Sequence, residues 1–144
     1  MKVHLERLDQ DYLFEVANAN GHRVLLDNRS KTTGAVKGIS PMELLLMGLA
    51  GCSSIDIVAI LRKQKIELDD IQVSVEGFRP EGAIPALFRT IEVQVQLQGS
   101  CSPEKALRAV KLSFDKYCSV SKTLEPTAQI DYTVELNGTL ISNA

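Results

Sequence analysis

Ser40-Pro41-Met42-Glu43 opens a helix in a way few other segments could. A serine cap, a proline at the first helical position and a glutamate at the third let the serine and glutamate satisfy each other's free backbone N–H groups. The eight residues that follow, Leu44-Leu45-Leu46-Met47-Gly48-Leu49-Ala50-Gly51, carry no polar side chain. A helix that is apolar all round is buried all round. The spacing predicts a helix to about Lys65, amphipathic in its second half, where Ile55, Val58 and Leu61 oppose Arg62, Lys63 and Lys65. The chain has 144 residues, the size of a single domain spanning 1–144. So small a subunit can hardly enclose such a helix, and a homodimer supplying the second wall is expected.

Around this helix the sequence reads as strands. Val3–Leu8 and Tyr12–Ala17 flank a polar turn, and Arg23–Leu26 follows Asn20-Gly21, a hairpin signal. Residues 28–38 form a polar loop. Ile71–Phe78 and Thr90–Gln98 alternate apolar with polar side chains, the pattern of half-buried antiparallel strands. Ser102-Pro103-Glu104 caps a second helix that buries Leu107, Val110 and Phe114 and ends near Cys118. Ser119–Leu124 adds a short turn of helix, and Ile130–Leu136 alternates as a last strand. The order is that of an α+β domain with antiparallel sheets around a long buried helix.

Several function classes fall away. Net charge is −2, without the basic excess that nucleic-acid or anionic-membrane binding draws on. The N-terminus, with charges every few residues, is not a secretory signal. The longest uncharged stretch, Leu44 to Ile55, is 12 residues against the roughly 20 of a membrane span. A cytoplasmic protein is expected. No phosphate-binding glycine loop is present, and His4 and His22 lack metal-ligand spacing with a cysteine, so neither cofactor nor metal is expected.

The three cysteines are an odd number at long spacing, which in a reducing compartment speaks against structural disulfides. Cys52 lies mid-helix after Gly48 and Gly51, small residues that leave its sulfur approachable. Cys118 follows Leu107 and Phe114 at intervals of eleven and four, on the same core-facing stripe. Either the two form a thiol pair, one attacking and one resolving, or both are small buried hydrophobes. Cys101, in a turn, has no comparable setting. A thiol attacks as thiolate, so a base or positive charge is required. Asp56, one turn beyond Cys52, would repel a thiolate. Glu43 lies on the opposite helix face and is accounted for by its cap. Arg23, Arg29 and Lys122 are the basic candidates.

The segment from Ser40 to Cys52, followed by Tyr117-Cys118-Ser119-Val120-Ser121-Lys122, resembles the OsmC/Ohr superfamily, named for osmotically inducible protein C and the organic hydroperoxide resistance protein. The Ser-Pro-Met-Glu-Leu-Leu-Leu opening is similar to that of the YhfA-like branch. The resemblance implies an OsmC-like fold in an intertwined homodimer, with two sites at the subunit interface. It implies a thiol peroxidase of the stress response. Cys52 attacks an organic hydroperoxide and becomes a sulfenic acid, and Cys118 condenses with it to a disulfide that an external thiol reduces. It also implies a glutamate directly after the helix-opening proline, paired with an arginine. Here that position is Met42, leaving Glu43, one residue on, and Arg29 or Arg23 as candidates. Two other roles fit the same residues: a dimeric binding protein for an apolar small molecule, and a thiol redox sensor.

Overall fold

A computed structural model describes residues 1–143 of the chain. Its contacts divide it into two compact units, Met1–Leu45 and the chain from Leu46 onward.

The first unit holds a three-stranded antiparallel sheet, β1 (Val3–Arg7), β2 (Phe14–Asn18) and β3 (Arg23–Leu26), in sequential order. Gly21 supplies the positive φ of +84° at the β2–β3 turn. The loop after β3 is tied down by Asp27, a buried carboxylate whose two oxygens accept from the backbone N–H groups of Asn28 and Lys37. Gly38 lies so close to Leu25 that a Cβ there would sit 2.6 Å from the Leu25 carbonyl oxygen.

The second unit holds a four-stranded sheet, β4 (Asp70–Phe78), β5 (Thr90–Gln98), β6 (Gln129–Leu136) and β7 (Thr139–Asn143), paired in that order. Its inner face is set by the alternation of β5. Ile91, Val93, Val95 and Leu97 are at most 1% exposed, while Glu92, Gln94 and Gln96 face outward. Burying each such side chain contributes about 1.5–3 kcal/mol. Helix α2 (Pro103–Leu112) lies over β6 and β7 and buries Ala106, Ala109 and Val110; Leu107 is half-buried. The sheet is α+β in character but not wholly antiparallel, because β5 and β6 run parallel. The helical segment between them, α2 and the turns that follow it to Leu124, carries the chain back to the starting end of the sheet, the long crossover that parallel pairing requires. A seventh strand also extends the sheet beyond Leu136. Asn137 and Gly138, at φ +50° and +78°, make the tight turn into it.

Helix α1 (Pro41–Lys63) starts where the capping box places it: the Ser40 N–H donates to Glu43 Oε2 at 2.7 Å and the Glu43 N–H to Ser40 Oγ at 3.2 Å. At 23 residues it is long and apolar enough to cross a bilayer, yet Leu49, Ser53, Ile57 and Leu61 form a fully buried stripe at i, i+4 spacing. Within one chain full burial is confined to that stripe, as expected of a subunit too small to enclose the helix. Leu45, Met47 and Ile55 are 41%, 49% and 71% exposed, because a single layer of neighbours covers only one side of a cylinder.

Candidate functional site

Cys52 and Asp56 lie one turn apart on α1, just beside its buried stripe. Cys52 is half-buried. No heavy atom lies within 4 Å of a Cβ built at Gly51, and only Val120 comes that near at Gly48, at 3.9 Å, so the helix surface leading to the sulfur is open. The hydroxyls of Ser53 and Ser54 turn back on the helix and donate to the carbonyls of Leu49 and Ala50, at 2.9 and 2.7 Å.

Cys118 is delivered differently. The second helix is regular only to Leu112. Ser113–Tyr117 then winds as a π turn, in which the Cys118 N–H reaches the Ser113 carbonyl at 2.8 Å. Such wide turns recur at functional sites because they re-aim the residue that follows. Here Cys118 turns extended, at ψ 100°, and caps α3 (Ser119–Leu124), its sulfur accepting the Ser121 N–H at 3.4 Å. Two contacts hold the turn in place. Phe114 stacks on Tyr132 of β6 with ring centroids 4.8 Å apart, and the Ser113 hydroxyl donates to the Ser53 carbonyl at 3.4 Å.

These elements bring Cys52 Sγ, Cys118 Sγ and a carboxylate oxygen of Asp56 within 4.8 Å of one another, the one such cluster among the described residues. Both thiols are free. Cys118 is fully buried, and its thiol is pushed up to about 11. Burial is the main cause, opposed by the Ser121 N–H and reinforced by Cys52 and Asp56. Asp56 Oδ2 is buried with no hydrogen-bond partner.

The other candidates have settings of their own. Glu43 is exposed and engaged in the helix cap. Arg29 is exposed in the loop after β3, and Arg23 pairs with Glu15 at 2.6 Å across β2 and β3. Lys122 pairs with Glu125 at 2.9 Å on exposed α3. Cys101 lies in the turn before α2, its thiol raised by partial burial. The residue that sequence reasoning set aside is Asp56. Its one-turn offset from Cys52 was legible, but its nearness to Cys118 was not.

The chain and its fold have known counterparts. Residues 33–133 match the OsmC-like protein family. Protein YhfA of Escherichia coli K12 is 39% identical over 120 residues, covering 83% of this chain and 86% of its own. A hypothetical protein from Aquifex aeolicus is 30% identical, covering 94% of this chain and 96% of its own, with a TM-score of 0.78. The organic hydroperoxide resistance protein OsmC of Legionella pneumophila shares the fold, with a TM-score of 0.64 at 18% identity over 94% of this chain and 97% of its own. On the strength of the family match and the YhfA similarity, the chain belongs to the OsmC-like family.

Proposed function

We propose that this protein is a cytoplasmic thiol peroxidase that reduces organic hydroperoxides, with Cys52 attacking and Cys118 resolving. The observation that carries the reading is the meeting of the two sulfurs, 66 positions apart in the chain, within 4.8 Å of each other. Membership of the OsmC-like family supports it. The Cys52 thiolate attacks the distal peroxide oxygen, the O–O bond breaks and an alcohol departs, leaving a sulfenic acid on Cys52. Cys118 then attacks the Cys52 sulfur, the S–O bond breaks, and water leaves as the disulfide forms. Two electrons from an external thiol restore both groups. An apolar setting, with Leu49 and Val120 beside the site, favours alkyl hydroperoxides over hydrogen peroxide.

The active form is a homodimer in this reading. Leu45, Met47 and Ile55 on α1 are exposed in one chain and suit burial against a second copy.

A thiol count on reduced Cys101→Ser protein, before and after one equivalent of cumene hydroperoxide, tests the chemistry. The parent is expected to lose two thiols within minutes. Cys52→Ser is expected to lose none. Cys118→Ser is expected to lose one, with a sulfenic acid trapped by dimedone. A parent that keeps its thiols, or a Cys52→Ser protein that consumes peroxide as fast as the parent, overturns the reading.

A further inference from the structure

We propose that Asp56 is the proton carrier of this site: its carboxylate takes the proton of each thiol in turn and returns it to the oxygen that leaves. The inference rests on the peroxidase reading and supplies what that reading lacks. A glutamate directly after Pro41 would be the expected acid–base group, but Met42 stands there, and Glu43 is spent on the helix cap.

Three observations converge on Asp56. A carboxylate oxygen lies within 4.8 Å of both sulfurs, so one group serves both half-reactions. Its Oδ2 is buried and accepts no hydrogen bond, and the hydroxyl of Ser53, about one turn before it on the helix, donates to the Leu49 and Ala50 carbonyls. A buried acceptor left without a partner is costly, and more so when charged, so the arrangement has no rationale in stability. Asp56 also forms no ion pair among the described residues. The titratable groups that face it are Cys52 on its own helix and Cys118 from the break between the π turn and α3.

The steps balance. Asp56 accepts the Cys52 proton, and the thiolate attacks the distal oxygen of the hydroperoxide. As the O–O bond breaks, the departing alkoxide takes the proton from the Asp56 carboxyl and leaves as the alcohol. Asp56 then accepts the Cys118 proton. The Cys118 thiolate attacks the Cys52 sulfenic sulfur, and the departing hydroxide takes that proton and leaves as water. A thiol held up to about 11 is protonated at neutral pH, so the second step needs a base at hand.

The alternative is a carboxylate whose charge merely sits beside the thiols. That charge disfavours thiolate, so removing it would speed every reaction of Cys52. The two readings therefore differ in sign. Asp56→Asn and Asp56→Glu in full-length Cys101→Ser protein would be assayed for two rates: loss of the Cys52 thiol to cumene hydroperoxide, and its alkylation by iodoacetamide, whose iodide leaves without a proton. Asp56→Asn is expected to slow the peroxide reaction about a hundredfold or more and to slow alkylation much less, because alkylation loses only the base and not the proton returned to the leaving oxygen. Asp56→Glu is expected to recover part of the peroxide rate. An Asp56→Asn protein that reduces peroxide as fast as the parent overturns the inference alone. Slowing of both rates by the same factor, which leaves the carboxyl no part in protonating the departing oxygen, overturns it as well. A parent that is alkylated but inert to peroxide overturns the peroxidase reading and this inference together.

Discussion

The two cysteine-bearing segments reach the same place by opposite means. Cys52 sits in an uninterrupted helix, half-exposed, beside a stripe of fully buried side chains and next to glycines that leave it approachable. Cys118 sits at a discontinuity, behind a π turn, fully buried and serving as the cap of a six-residue helix. Regular structure presents a group to whatever arrives, whereas a break in it tucks a group away and fixes its direction. The pairing suits a reaction in which one sulfur meets a substrate and the other waits.

The largest test of that contrast is Phe114→Ala. The ring is 5% exposed and anchors the π turn on Tyr132, so its loss is expected to cost about 3–5 kcal/mol in urea unfolding. It should also make Cys118 reactive to alkylation in the native state. A destabilised protein with Cys118 still protected would mean that the discontinuity does not depend on the ring.

The pH dependence of Cys118 comes next. Its folded thiol is raised, so the neutral form is the one the fold favours. The associated stability is fully present below the ordinary thiol range and is lost as pH climbs toward about 11. A thiolate absorbance titration of Cys118 in a Cys52→Ser, Cys101→Ser background should place its midpoint above the ordinary range but below that in the presence of Cys52, since Cys52 contributes to the rise. A midpoint in the ordinary range would show that burial does not hold this sulfur neutral.

The smallest expected effect belongs to Ser113→Ala. The long bond to the Ser53 carbonyl should be worth about 0.5–1.5 kcal/mol, at the lower end, because that acceptor lies within a helix. Chemical denaturation resolves it. A loss several times larger would make this bond, rather than the aromatic stack, the anchor of the turn.

Much of this was readable in the residues. The capping box, the proline-opened second helix and the alternation of β5 appear where local chemistry puts them, because caps and period-two patterns are settled within a few residues. The burial of Cys118 was legible too, but not its cause: Leu107 is only half-buried, and Cys118 lies past a π turn whose anchor is Phe114 meeting a tyrosine from another strand. The last hairpin carried its signal in Asn137-Gly138, yet the reading stops at Leu136. The parallel register of β5 and β6 has no local signature at all. Asp56 shows the sharpest limit. Its charge beside Cys52 reads as a hindrance until a second thiol, distant in sequence, is seen to share it.

The parallel pairing also orders events during folding. β4 and β5 are separated by the 11 residues 79–89, while β6 cannot join β5 until the 30 residues 99–128 have been closed into a loop. Cys118 lies inside that loop. Topology therefore predicts that Cys118 takes up its final place late, once this crossover has closed, so that the two-sulfur site is among the last features of the fold to form.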